Sequence, residues 1–323
     1  MREIEYREAL KEALDEEMKR DENVFIMGED VGTSRGAFRV TTGLLDKYGP
    51  ERVIGTPISE ATIIGASVGA AITGQRPVAE IMFLDFIPQA MDQVINQAAK
   101  INFMTGDSLE VPIVIRSPGG IAICTGAQHS QSLEAWFYHI PGLKVAMPAT
   151  PYDAKGLLKT AIRDNNPVIF LEHKMLYLNK GPVPEEEYLI PFGKADIKKE
   201  GSDVTIFAYS RMVPTSLQAA KELEKEGISC EVIDPLTLVP LDKKVLIDSV
   251  KKTNRLVIVS EACERGGIGG HICSLVVKEA FDWLNAPIEI VAGLNTPIPY
   301  NHKLENACYP HEEDIIKAVK RII

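Results

Sequence analysis

The chain has 323 residues, of which 45% are hydrophobic and 25% charged, and a net charge of -10. That length exceeds one ordinary core and fits two domains. The composition excludes a disordered chain, the acidic balance argues against a binder of nucleic-acid phosphates, and no window reaches the ~18 apolar residues of a membrane span. The first residues, Met1-Arg2-Glu3-Ile4-Glu5, lack the apolar run of a signal peptide. The five cysteines are scattered and none forms a CxxC pair, so reduced thiols in a cytoplasmic protein are expected, not a disulfide framework or a zinc site.

In chain order, residues 6–20 carry Ala9, Leu10, Ala13, Leu14 and Met18 at helical spacing and predict an amphipathic helix. Residues 24–27, 78–84, 112–116, 144–147 and 168–171 are short apolar runs without polar alternation. They predict strands of a parallel sheet covered on both faces. Segments 89–104 and 151–163 predict helices between them, and the alternation is that of an open α/β domain. Residues 172–200 break the rhythm: Gly181-Pro182-Val183-Pro184 and three glutamates read as a linker. A second set follows, with strands at 204–208, 229–233, 255–260 and 288–292 and helices near 213–226, 243–252, 268–284 and 312–322. The expected fold class is therefore α/β, as two open α/β domains spanning 1–190 (linker included) and 191–323.

The stretch Thr56-Pro57-Ile58-Ser59-Glu60 closes an extended segment and opens a helix of small residues, with no Lys, Arg or His until Arg76. A carboxylate there either caps the helix, worth about 0.3–1 kcal/mol through the helix dipole, or does chemistry. Gly65 and Gly69 each cost about 1 kcal/mol relative to alanine inside a helix, so a backbone, a subunit or a ligand is expected to come close. Gln128-His129-Ser130 lies on a loop after a predicted strand, where open α/β sheets bind ligands. His129 is either a general acid/base suited to neutral pH or a surface or capping histidine. Gly28-Glu29-Asp30-Val31 also follows a strand. Arg265-Gly266-Gly267-Ile268-Gly269-Gly270 is similar to a phosphate-cradling turn. It lacks the Lys-Ser/Thr of a P-loop and misses the G-x-G-x-x-G spacing, which favours tight helix packing.

Glu60, Gly65 and Gly69 together resemble the E-x4-G-Φ-x-x-G motif of thiamin diphosphate enzymes, with Ala66 as a small Φ residue and Ala70 where glutamine often stands. Gly28-Glu29-Asp30-Val31, Met91-Asp92-Gln93-Val94, Ala127-Gln128-His129-Ser130, Pro141-Gly142-Leu143-Lys144-Val145 and Asp153-Ala154-Lys155-Gly156-Leu157 extend the resemblance over nearly the whole chain. It is similar to the beta subunit of the decarboxylating component of 2-oxoacid dehydrogenase complexes.

That resemblance implies a pyrimidine-binding domain, a transketolase C-terminal-like domain and an α2β2 heterotetramer. It implies thiamin diphosphate shared with an alpha subunit, which would hold Mg²⁺ and the diphosphate through Gly-Asp-Gly. This chain has no Gly-Asp-Gly, and Gly106-Asp107-Ser108 is its nearest segment. By the same resemblance Glu60 supports the imino tautomer of the cofactor's pyrimidine, His129 is the active-site histidine, and Phe86 packs on the aminopyrimidine. Glu29, Ile58, Met82 and Gln89 line the cofactor, Met82 standing where relatives carry glutamine. A K⁺ site is implied at Ile113, Ala161, Ile162, Asp164 and Asn166.

The implied reaction is oxidative decarboxylation of a 2-oxo acid, pyruvate favoured, with acylation of a lipoyl group on an acyltransferase core. Asn285 stands where many relatives place an acid for contact with that core. Acetoin and branched-chain 2-oxo acids are the alternative substrates. A non-catalytic assembly subunit would be expected to lose Glu60 or His129, and a standalone synthase would need Gly-Asp-Gly.

Overall fold

The computed structural model describes residues 1–32 and 36–323. They form two compact units: residues 1–119 with 136–192, and residues 120–135 with 193–323.

The first unit holds strands β1 (Arg2–Glu5), β2 (Val24–Glu29), β3 (Val53–Thr56), β4 (Arg76–Glu80), β5 (Val114–Gly119), β6 (Lys144–Ala146), β7 (Val168–His173) and β8 (Lys180–Val183). Strands β6-β7-β5-β4-β2-β3 lie side by side in that order, and every pairing is parallel. Strands β5 and β7 are buried along their whole length, which is why they read as unbroken apolar runs. The helix Tyr6–Arg20 buries Tyr6, Ala9, Leu10, Ala13, Leu14 and Met18. It meets the helix Pro151–Arg163 through Lys155 Nζ, 2.7 Å from Glu16 and 3.1 Å from Glu12. From β2 the chain moves to β3 on one side, and from β4 to β5 on the other. The C-terminal ends of β2 and β4 are therefore the switch point where such sheets bind ligands.

The second unit holds β9 (Asp196–Lys199), β10 (Val204–Ala208), β11 (Cys230–Asp234), β12 (Thr237–Val239), β13 (Leu256–Cys263) and β14 (Glu289–Gly293). A sheet of order β14-β13-β10-β11-β9 is parallel except for its antiparallel edge strand β9. The helices Met212–Lys225, Lys243–Thr253, Ile268–Ala280 and Glu312–Ile322 accompany it. A Cβ on Gly269 would lie 3.3 Å from Ile290 and 3.6 Å from Ile258, so this glycine lets its helix sit close on the sheet.

Two features differ from the sequence expectation. Segment 172–200 is not a plain linker: β8 pairs antiparallel with β1, Glu3 opposite Pro182, and β9 adds an edge strand. Both are short, and a proline within one hides it from strand patterning. The single helix expected over 89–104 is instead a 3-10 turn (Leu84–Ala90), a π-helical stretch (Gln93–Ala98) and a short α-helix (Ile101–Met104). Apolar spacing does not separate these windings, but Pro88 inside the first does not suit a continuous α-helix. Residues 120–135 group with the second unit. None of the described helices is long and apolar enough to cross a membrane, and all five cysteines are free thiols.

Candidate active site

The helix Glu60–Ile72 follows β3 after three residues, with Ser59 as its N-cap. Its first residue, Glu60, is only 6% exposed, and among the described residues its side chain has no hydrogen bond or ion pair. Glu29 ends the neighbouring strand, opposite Thr56. Burial, then the charges of Asp30 and Glu60, hold the Glu29 carboxyl above its ordinary value. Two carboxylates that feel one another at the ligand edge of a sheet suit a group bringing a proton or positive charge between them.

The backbone supports this placement. A Cβ on Gly28 would meet the Glu80 carbonyl oxygen at 2.6 Å, so only glycine lets the ends of β2 and β4 come this close. The two motif glycines divide their roles. Gly65 faces the Gln93 side chain, 3.2 Å from where its Cβ would be, whereas a Cβ on Gly69 would have no described atom within 4 Å. The close neighbour expected at Gly65 is thus a side chain of the π-helical stretch.

Phe86 and Gln89 belong to the 3-10 turn after β4, and Met82 lies just before it. Met82 and Phe86 are half-buried and Gln89 is exposed. Ile58 is 73% exposed. Phe86 joins an aromatic chain that the sequence reading missed. Phe83 meets it edge-on with centroids 5.9 Å apart, Phe38 meets Phe83 at 5.4 Å, and Tyr177 stacks on Phe38 at 5.2 Å. The Lys174 ammonium lies 5.4 Å from the Phe83 ring centre and 3.8 Å from the Asp85 carboxylate. The signal for this pair is a lone acid, Asp85, in an otherwise apolar run.

Beneath that chain lies a buried charge cluster. Arg116 grips Glu172 with two hydrogen bonds, Nε to Oε1 at 2.7 Å and Nη2 to Oε2 at 2.6 Å, and donates to Glu80 through Nη1. Tyr177 Oη donates to Glu172 at 2.7 Å. Burial raises the Glu80 carboxyl, Arg116 opposes that rise, and the Glu172 charge adds to it.

His129 is half-buried on a short 3-10 turn, Ala127–His129, within the second unit. Thr125 Oγ1 donates to the His129 carbonyl at 3.1 Å. Beyond this loop Glu134 opens a helix, buried, with Tyr209 Oη donating to its carboxyl at 2.9 Å. Burial, helped by the Glu261 charge, pushes the Glu134 carboxyl up to about 7, against its own backbone N–H and Tyr209. A carboxyl raised in this way binds its proton more tightly folded than unfolded. Its contribution is therefore full below its ordinary value of 4.5 and is lost as pH rises through about 7. That interval corresponds to roughly 3 kcal/mol. Glu134→Gln is expected to gain most of that amount on the parent chain between pH 5 and pH 8, read as a widening difference in melting temperature. A pH-independent difference would refute the assignment.

Of the residues implied for K⁺, Ala161 and Ile162 lie in the last turn of the helix Pro151–Arg163, Asp164 and Asn166 follow it, and Ile113 precedes β5. The Ile113 carbonyl accepts from Val168 N at 2.9 Å and the Ala161 carbonyl from Asp164 N at 3.2 Å. Arg76 Nη1 already donates to the carbonyls of Ile162 and Asp164, at 3.1 and 3.2 Å. Lys144 and Asn166 bind the Asp164 carboxylate. Against burial, the Lys144 bond and those of Asn166 hold it ionised below its usual range. Two fixed cations thus share this turn. Gly106-Asp107 forms the exit turn of the helix Ile101–Met104, both residues at positive φ, with Asp107 N on the Asn102 carbonyl at 3.0 Å.

Family models give this geometry its context. Residues 2–180 match the transketolase pyrimidine-binding domain and residues 193–315 the transketolase C-terminal domain. The chain is 52% identical to pyruvate dehydrogenase E1 component subunit beta-2, mitochondrial, of Oryza sativa subsp. japonica, covering 99% of this chain and 86% of that protein. It is 51% identical to the pyruvate dehydrogenase E1 component subunit beta of Rickettsia felis, over 99% and 98% of the two chains. A split-gene transketolase, solved as an inactive β4 tetramer, superposes with a TM-score of 0.78 at 25% identity over 99% and 98% of the two chains. With both transketolase domains present in order and half of its residues shared along its full length, the chain belongs to the family of transketolase-like E1 beta subunits.

Proposed function

We propose that this chain is the beta subunit of a thiamin diphosphate-dependent 2-oxoacid dehydrogenase that oxidatively decarboxylates pyruvate and acylates the lipoyl group of an acyltransferase core. The observation that carries the reading is Glu60: a residue only 6% exposed at the ligand edge of the sheet, its carboxylate without a hydrogen bond or ion pair from a described residue and close enough to Glu29 to act on it. Thiamin diphosphate, when bound, supplies the carbon nucleophile that attacks the 2-oxo group. Glu60 would share a proton with pyrimidine N1′, a hydrogen bond that the bound cofactor would strengthen by displacing water from a residue already only 6% exposed. Phe86 would pack on the aminopyrimidine, and Glu29, Ile58, Met82 and Gln89 would line it. His129 would give or take protons on the reacting substrate or the lipoyl thiol.

In this reading an alpha subunit completes the site in an α2β2 assembly and holds Mg²⁺ with the diphosphate, since this chain has no Gly-Asp-Gly. K⁺ is proposed at Ile113, Ala161, Ile162, Asp164 and Asn166 on the strength of their hard oxygen donors, with Arg76 and Lys144 limiting what the ion adds. The free thiols suit a reducing, cytoplasmic setting.

The test is co-purification with a candidate alpha subunit. Pyruvate, branched-chain 2-oxo acids and acetoin are then assayed with thiamin diphosphate and Mg²⁺, and the melting temperature is read in KCl and in NaCl. Pyruvate turnover that needs both subunits is the expected result. Preference for acetoin or a branched acid would reassign the substrate, and no turnover from an intact assembly would leave a non-catalytic subunit. Equal stability in the two salts would remove the K⁺ site.

A further inference from the structure

We propose that Glu261 is a positioning residue that staples shut the loop carrying His129. The inference rests on the catalytic reading of His129. Glu261 lies on β13, and a single oxygen of its carboxylate serves both ends of the loop. Oε1 accepts from the backbone N–H of Ile121 at 2.8 Å and from Ser132 Oγ at 3.3 Å. The second oxygen, Oε2, accepts from Arg211 Nη1 at 3.0 Å, which fixes the carboxylate and balances its charge. The loop's neck is closed beside it by Gly120 N on the Gln131 carbonyl at 2.9 Å. Farther round, Cys124 N donates to Glu305 at 2.9 Å.

The loop is not packed solidly against its neighbours. A cavity of about 220 Å³ is lined by Ser130, Ser132 and Leu133 on one wall and by Gly293, Thr296 and Ile298 on another. Charge-assisted hydrogen bonds, stronger than neutral ones, tie the loop to β13 in the wall of that space, which Ile121 and Glu261 also line. The Arg211 guanidinium is steadied in turn by the Tyr309 ring, 4.7 Å from the ring centre. A carboxylate that joins residues on either side of His129 sets the imidazole's position without touching the reacting atoms. Displacement of a reacting group by about 1 Å costs on the order of 100-fold in rate.

The test uses the complete enzyme with its alpha subunit. Glu261→Ala is expected to lower kcat by about 30- to 100-fold, with KM for pyruvate within about threefold. Glu261→Gln keeps an acceptor oxygen for Ile121 and Ser132 and is expected to recover most of that loss. Amide hydrogen exchange of residues 121–133 is expected to speed up in Glu261→Ala and to stay near the parent rate in Glu261→Gln. Full activity in Glu261→Ala, or a Gln variant as impaired as Ala, would overturn the staple. His129→Ala is the control. Were it fully active, the catalytic reading would fall, while the exchange data would still decide whether Glu261 holds the loop.

Discussion

Glu60→Gln in the assembled enzyme is expected to lose at least about 100-fold in kcat, the lower end of what a positioned acid/base contributes, while remaining folded. The two halves of this expectation have separate grounds. Glutamine matches glutamate in shape, so the buried start of the helix keeps its packing. No ion pair is broken, because Glu60 has none among the described residues. The helix dipole loses an anion worth about 0.3–1 kcal/mol. Some of that returns as Glu29, held up in part by the Glu60 charge, is relieved of repulsion. Glutamine cannot share a proton with a ring nitrogen as a carboxyl does, so turnover falls even where the cofactor binds. Thiamin diphosphate binding measured by calorimetry separates the two effects. Near-normal turnover with the cofactor bound would end the assignment of Glu60, and a variant that does not assemble would show a structural capping role instead.

Much of the fold is legible in the sequence because the apolar runs are long enough to be unambiguous. The helices Tyr6–Arg20, Pro151–Arg163 and Glu312–Ile322 and the strand Val204–Ala208 have the ends that periodicity predicts. What escapes patterning is local winding and pairing between distant segments. Gln93–Ala98 keeps its apolar spacing whether wound as an α- or a π-helix, and Lys180–Val183 becomes a strand only because Arg2–Glu5 lies beside it. The site follows the same division. Glu29 ends a strand, Glu60 begins a helix and His129 lies on a short turn, places where chemistry-bearing residue types stand out against apolar neighbours. The groups that hold them in place do not stand out. Glu261 is tied to the His129 loop only through the fold, since its bond to Ile121 spans 140 residues of sequence.

Arg116→Met is expected to be the most destabilising single change in the first unit, by about 3–5 kcal/mol, the usual result of removing one partner from a buried ion cluster. Arg116 is 1% exposed and stands between Glu80 and Glu172, so the cluster already holds two carboxylates against one guanidinium. Methionine fills much of the same space but leaves both acids buried without a countercharge. The sign of the pH dependence separates this account from a simple packing defect. Carboxyls left uncompensated can take up protons in acid, so the gap between variant and parent is expected to narrow from pH 8 towards pH 5. A cavity or an overpacked side chain would cost the same at both. Urea midpoints measured at the two pH values decide it, and a gap that stays constant would reject the electrostatic account. Because Glu172 also receives Tyr177 Oη, and Tyr177 stacks on Phe38 in the chain leading to Phe86, the same variant is expected to weaken thiamin diphosphate binding even where enough folded enzyme remains to measure it.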